Sequence, residues 1–175
     1  MSAEAFRGMR FLRPDRRDAL VVEVTTELRL HGVANDVADQ AVADYLGLNR
    51  TDARCLDIIE RLQRVPAGRL AAESGLSTGA VTTVLDRLER AGFARRVPDP
   101  ADRRRVLVEL TPEARRELSA LSAPLAAAAM RHLEGYTAEE VGLVRDFLRE
   151  ARRINEAHAA RVRELGRARQ GEAAS

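Results

Sequence analysis

The stretch GLSTGAVTTVLDRLERAGFARRVPDPADRRRVLVELT, residues 75–111, changes its periodicity halfway along, and that change decides how the whole chain is read. Val81, Val84, Leu85 and Leu88 fall three and four residues apart, the spacing of one helix face. Ser77 stands where a helix start needs a side-chain acceptor, and Gly92 stands where a helix end needs a residue free to reverse the chain. Beyond Gly92 the period shortens. Phe93 to Val97 and Arg105 to Leu110 read as two short strands, and in the second Val106, Val108 and Leu110 alternate with Leu107 and Glu109. Pro98-Asp99-Pro100-Ala101-Asp102 between them is turn chemistry, because proline offers no N–H to a ladder and aspartate favours turns.

Working upstream, Pro66 and Gly68 interrupt the chain before a short helix expected at Arg69 to Ser74. Ala71 is small enough for two helices to cross over it, and Gly75 can take the positive φ of a tight corner. Short helix, glycine corner, capped helix and strand pair make a winged helix-turn-helix spanning about Pro66 to Thr111. A plain helical hairpin would satisfy the first half of this pattern, but not the strands. Charge placement also favours the winged reading. Between Arg87 and Arg105 the arginines are 87, 90, 95, 96, 103, 104 and 105, against only Glu89, Asp99 and Asp102, in a chain whose net charge is +2. Ser77, Thr78, Gly79, Thr82, Thr83 and Arg87 are left on the outer side or N-terminal tip of the second helix, where hydroxyls and a helix N-terminus suit phosphates and base edges.

The flanks are helical. From Pro14 to Leu48 apolar residues recur at three- and four-residue steps on either side of Gly32, which predicts one long amphipathic helix, or two with a weak point at Gly32. Thr51 is the expected N-cap of the next helix, whose apolar face is Cys55, Ile58, Ile59 and Leu62. Thr111-Pro112-Glu113 starts a helix reaching about His132, and a last one follows Thr137, with Val141, Val144, Leu148, Ala151 and Ile154 on one stripe. The expected organisation is a flexible extension over 1–13, a dimerisation helix over 14–48, a DNA-binding lobe over 49–111, C-terminal dimerisation helices over 112–165 and a flexible tail over 166–175. The fold class is mainly α with a small β-hairpin wing.

Composition bounds the function. All 29 basic side chains are arginine, the residue that forks onto phosphates and guanine edges, yet the small net charge excludes a general electrostatic coat for nucleic acid. Any DNA contact has to come from local placement. No run of about 18 apolar residues is present, so a membrane span and a secretion signal are not expected and the cytoplasm is the default location.

Pro98 to Thr111, with its Asp-x-Arg element and a strand ending in Leu-Thr, resembles the wing of the MarR family, the multiple antibiotic resistance regulators. Asn49-Arg50-Thr51 and Leu76-Ser77-Thr78-Gly79-Ala80-Val81-Thr82 are similar to that family as well, so the likeness covers about Leu46 to Arg115 in detail. It implies a homodimer with interlocked terminal helices on an inverted-repeat duplex, the second motif helix in the major groove and the wing in the adjacent minor groove. It further implies that Asp102 holds the wing, that Arg104 is the minor-groove residue, and that Arg103 and Arg105 meet phosphates or aspartates. Regulators of this kind often bind a small aromatic acid or phenol, and the expected function is a sequence-specific repressor released by such an effector. Many members carry a basic residue where this chain has Thr83, which puts a guanine contact from that position in doubt.

Other chemistry finds less support. Cys55, the one cysteine, lies on an apolar helix face and reads as a buried structural thiol rather than a redox sensor. His31, His132 and His158 form no ligand pair at helical spacing, so no metal is expected. No nucleotide loop, nucleophile elbow or acid-base pair marks an enzyme, and no cofactor is implied. Asp57 with Arg61 and Asp86 with Arg90 are expected to pair one turn apart on solvated faces. The alternative function is a winged-helix module that binds an acidic protein instead of DNA.

Overall fold

The computed structural model describes residues 15–102 and 105–173. The chain divides into two units, one through Leu121 and one from Ser122. Within the first, helices α1 (Arg16–Tyr45), α2 (Arg50–Leu62), α3 (Ala67–Ser74) and α4 (Thr78–Arg90) alternate with three short strands, β1 (Arg64–Pro66), β2 (Ala94–Pro98) and β3 (Val106–Leu110). Helix α5 (Pro112–Leu133) begins in the first unit and ends in the second, which also holds α6 (Ala138–Ala173).

The winged helix-turn-helix stands where the sequence puts it. Gly75 closes α3 at φ 72°, and Gly92 follows α4 at φ 80°, both in the left-handed region that glycine enters without a Cβ penalty. Ser77 Oγ accepts the Ala80 N–H at 3.2 Å and so caps α4. The apolar face of α4 meets α2, α3 and β2, and the core they share with β1 and β3 is built of Cys55, Leu56, Ile59, Val65, Leu70, Val81, Leu85, Leu88, Ala94, Val108 and Leu110. Thr111 fastens the C-terminal end of this lobe: its hydroxyl donates to the Gly92 carbonyl at 2.7 Å and accepts from the Ala114 N–H, capping α5.

Of the two arrangements the sequence left open for the N-terminal segment, the single helix is the one formed: α1 runs unbroken through Gly32, because one interior glycine costs only about 1 kcal/mol and a helix of 30 residues absorbs it. Other sequence expectations need correction. Helix α2 is capped by Asn49, whose Oδ1 accepts the Asp52 N–H at 2.9 Å, and not by Thr51, which lies inside the helix. Strand β1 is unforeseen. It pairs antiparallel with β3, Val65 opposite Val108, in a sheet of order β1-β3-β2. Three residues ending in proline carry no period of their own; Pro66 and Pro98 are tolerated because each ends an edge strand. Helix α6 continues past Gly166 to Ala173, carried by the helix-forming run Arg167-Ala168-Arg169-Gln170, where the sequence suggested a flexible tail from 166. The extension over 1–13 lies outside the described residues.

Large apolar side chains stay exposed on the long helices. On α1 these include Leu20, Leu30, Val33, Val37 and Tyr45, and in the second unit Leu125, Met130, Leu143, Phe147 and Ile154. Among the described residues no helix is long and apolar enough to cross a membrane.

Leu88 is fully buried between α4 and its neighbours. Leu88→Ala is expected to lower unfolding stability by about 2–5 kcal/mol through lost burial and the cavity left behind. Urea denaturation followed by circular dichroism should report this as a lower midpoint at unchanged slope.

Candidate nucleic-acid interface

Helix α4 presents a polar tip. Ser77, Thr78, Gly79, Thr82 and Thr83 are all exposed there, opposite the buried Val81, Val84, Leu85 and Leu88. Thr82 Oγ1 donates to the Thr78 carbonyl at 3.1 Å and Thr83 Oγ1 to the Gly79 carbonyl at 3.2 Å. With their protons turned back into the helix, these hydroxyls face outward as acceptors, suited to exocyclic amines on base edges.

Arg87 is placed differently from the other five. Its Nε donates to Asp52 Oδ2 at 2.8 Å and its Nη2 to Asp52 Oδ1 at 2.5 Å, a bidentate pair reaching from α4 to the start of α2. Asp52 is only 3 % exposed. Hydrogen bonding to that carboxylate holds the Arg87 guanidinium above its ordinary pKa.

The wing is a β2–β3 hairpin whose turn is tied by its own backbone. Asp99 N–H donates to the Arg105 carbonyl at 3.0 Å, Arg105 N–H to the Asp102 carbonyl at 2.8 Å, and Asp99 Oδ1 accepts the Ala101 N–H at 2.8 Å. Asp102 and Arg105 are exposed on this turn. Arg103 and Arg104, the other two expected wing contacts, lie outside the described residues.

Most arginines at the root of the wing have internal partners. Glu109, only 5 % exposed on the central strand, takes Arg64 Nε of β1 at 2.6 Å and Arg95 Nη2 of β2 at 2.7 Å, each directly across the ladder. Burial alone would raise the Glu109 pKa, but the two arginines outweigh it and hold the carboxyl below its usual range. Arg96 reaches back to α4. Its Nη2 donates to Asp86 at 2.9 Å, its Nη1 pairs with Glu89, and its backbone N–H donates to Glu89 Oε1 at 2.9 Å. Sequence reasoning missed Asp52, Arg64, Asp86 and Glu109 as members of this frame. Only the Asn-x-x-Asp spacing of Asn49 and Asp52, a helix-start pattern, offered a local signal for any of them.

The helical pairs anticipated one turn apart are also replaced. Arg61 bonds Glu73 of α3 at 3.1 Å, and Arg90 Nε donates to the Asp86 carbonyl at 3.1 Å while the Asp86 carboxylate serves Arg96. Cys55 is fully buried, and burial pushes its thiol pKa up against a weaker opposing hydrogen bond with Ser74, the opposite of a reactive thiolate. Among the described residues no group of three or more His, Cys, Asp or Glu could hold a metal ion.

A capped helix with an exposed hydroxyl tip, set beside a hairpin turn and built on one small core, defines a winged helix-turn-helix transcriptional regulator. The MarR family profile matches residues 48–106. A Bacillus subtilis (strain 168) protein described as the uncharacterized HTH-type transcriptional regulator YcgE is 38 % identical over 125 residues, which cover 71 % of this chain and 81 % of that protein. The crystal structure of transcriptional regulator PA4135 is similar with a TM-score of 0.51 at 26 % identity, over 74 % of this chain and 96 % of that one. Streptococcus pneumoniae FabT in complex with DNA shares the fold, with a TM-score of 0.56 at 23 % identity, over 77 % of this chain and 97 % of that one. The chain belongs to the MarR family.

The Glu109 clamp carries a pH signature. A carboxyl with a depressed folded pKa contributes stability that is present above its unfolded pKa and lost as pH falls through the folded value. Glu109→Gln should therefore be less stable than the parent by about 1–3 kcal/mol at neutral pH. Thermal melts across pH should show this gap closing below about pH 4; a gap that persists in acid would mean that shape, not charge, holds the sheet.

Proposed function

We propose that this regulator binds an inverted-repeat duplex as a homodimer, with the N-terminal half of α4 in the major groove and the wing turn against the neighbouring minor groove and backbone. The observation that carries this reading is the exposed hydroxyl tip of α4, Ser77 to Thr83, on a helix whose other face is fully committed to the core. Arg103, Arg104 and Arg105 supply the wing contact, Arg104 entering the minor groove, with Asp102 orienting the turn. Arg87, already held by Asp52, is left out of the contact set.

The dimer reading rests on the many large apolar side chains left exposed along α1 and the helices of the second unit, which a second copy would cover. Two-fold protein symmetry asks for two-fold DNA symmetry, with half-sites about 10 bp apart. Repression in the cytoplasm, relieved by a small aromatic or phenolic effector, completes the proposal by its likeness to the family.

Two experiments test it. Light scattering at low micromolar concentration should give twice the chain mass of 19.3 kDa, and a stable folded monomer would end the dimer reading. Affinity measured against salt, on a duplex selected by the protein and on a shuffled one, separates helix from wing. Arg104→Ala should weaken both and lower the salt slope by about one unit per subunit. Thr82→Ala should cost about 1 kcal/mol on the selected duplex alone. If Arg104→Ala leaves affinity and slope untouched on both duplexes, the wing does not meet DNA.

A further inference from the structure

The core contacts of α4 are aliphatic, and burial of aliphatic surface has no direction. Val81, Val84, Leu85 and Leu88 hold the helix against the lobe by burial, and burial sets no hydrogen-bond direction for the helix. Reading base edges is intolerant of such a roll, because donors and acceptors must meet within hydrogen-bond distance and angle. A directional tie to something fixed is required. The Asp52–Arg87 pair has that character: two parallel N–H···O bonds from a planar guanidinium fix both distance and orientation.

Asp52 is itself immobilised. Its backbone N–H donates to Asn49 Oδ1 at 2.9 Å and its Oδ2 accepts Asn49 Nδ2 at 2.8 Å, so the carboxylate receives Asn49 and both arms of Arg87 at the first turn of α2. The N-terminus of a helix is where a carboxylate is held most firmly. Arg87 lies one turn beyond Thr83 on α4, so movement at its guanidinium is passed to the exposed tip through rigid helix. Arg96 also joins β2 to Asp86 and Glu89 of the same helix, so α4 cannot follow Arg87 outward without straining a second pair.

We propose that Asp52 is the positioning residue for sequence reading: acting through Arg87, it sets the roll of α4 so that Thr78, Thr82 and Thr83 present their hydroxyls in register with base edges. The pair thus governs specificity and contributes no phosphate contact. This rests on the DNA-reading role given to α4 above. The opposing possibility is that Arg87 leaves Asp52 to bind a phosphate. Removing the carboxylate would then release a cation and strengthen binding to any DNA.

The test compares the full-length parent with Asp52→Asn, Arg87→Lys and the double variant. The probes are a duplex selected by the parent from a random-sequence pool and a shuffled duplex of equal length, across a salt series. Positioning predicts that Asp52→Asn and Arg87→Lys each lose roughly tenfold on the selected duplex, the scale of one lost base-specific contact. It also predicts unchanged affinity for the shuffled duplex, an unchanged salt slope, and a double variant little worse than either single one. Thermal melts confirm that each variant is folded at the assay temperature. Arg87→Lys keeps the charge at a half-exposed position and so stands in if Asp52→Asn does not fold. A purely structural pair would lower the melting temperature and leave the ratio of selected to shuffled affinity intact, which overturns the proposal. Tighter binding of Asp52→Asn to both duplexes overturns it in favour of a phosphate contact. A parent that selects no sequence from the pool defeats the DNA-reading role itself, an outcome distinct from both.

Discussion

A buried carboxylate must find cations, and in this lobe two such groups, Asp52 and Glu109, organise what surrounds them. A carboxylate taken out of water without a partner costs several kcal/mol, so each position demands arginine from another element. Asp52 draws Arg87 of α4 to the start of α2. Glu109 draws Arg64 and Arg95 across both ladders of the sheet. The aliphatic core brings the elements together, and the two carboxylates decide how they are oriented.

That constraint changes the meaning of the all-arginine composition. Counted along the chain, the arginines from 87 to 105 look like a single basic surface. In three dimensions Arg87, Arg95 and Arg96 are engaged by Asp52, Glu109, Asp86 and Glu89. Arginine serves both purposes because its guanidinium is always charged and forks onto a carboxylate as readily as onto a phosphate. Much of the basic charge in this stretch is thus spent inside the lobe, in keeping with a net charge of only +2, too small to coat any polyanion.

The long helices differ from the lobe in how they use apolar residues. The lobe closes over Ile59, Leu70, Leu85 and Leu88 almost completely, whereas Val37 and Tyr45 of α1 and Leu143 of α6 stay more than half exposed. The buried core of this 19.3 kDa chain is that of one small lobe, and the apolar side chains of the long helices add little to it.

Helix spacing, the glycine corners at Gly75 and Gly92, the caps at Ser77 and Thr111, and the proline-rich turn were all legible in the sequence, because each is written within four or five neighbouring residues. So was the exposed tip of α4, which follows from knowing its apolar face. Strand β1 was not legible, since three residues ending in proline become a strand only when Val108 lies opposite Val65. The pairing of Arg87 with Asp52 was not legible for a related reason. Its partner stands 35 residues upstream, and Glu109 meets Arg64 across 45 residues, separations over which no local period exists. The sequence by itself determined the elements, their apolar faces and the position of the exposed hydroxyl tip of α4, because these depend on short-range geometry. Only the tertiary structure decided which arginines are tied to carboxylates, because a carboxylate buried by packing claims whichever cations the fold brings within hydrogen-bond reach.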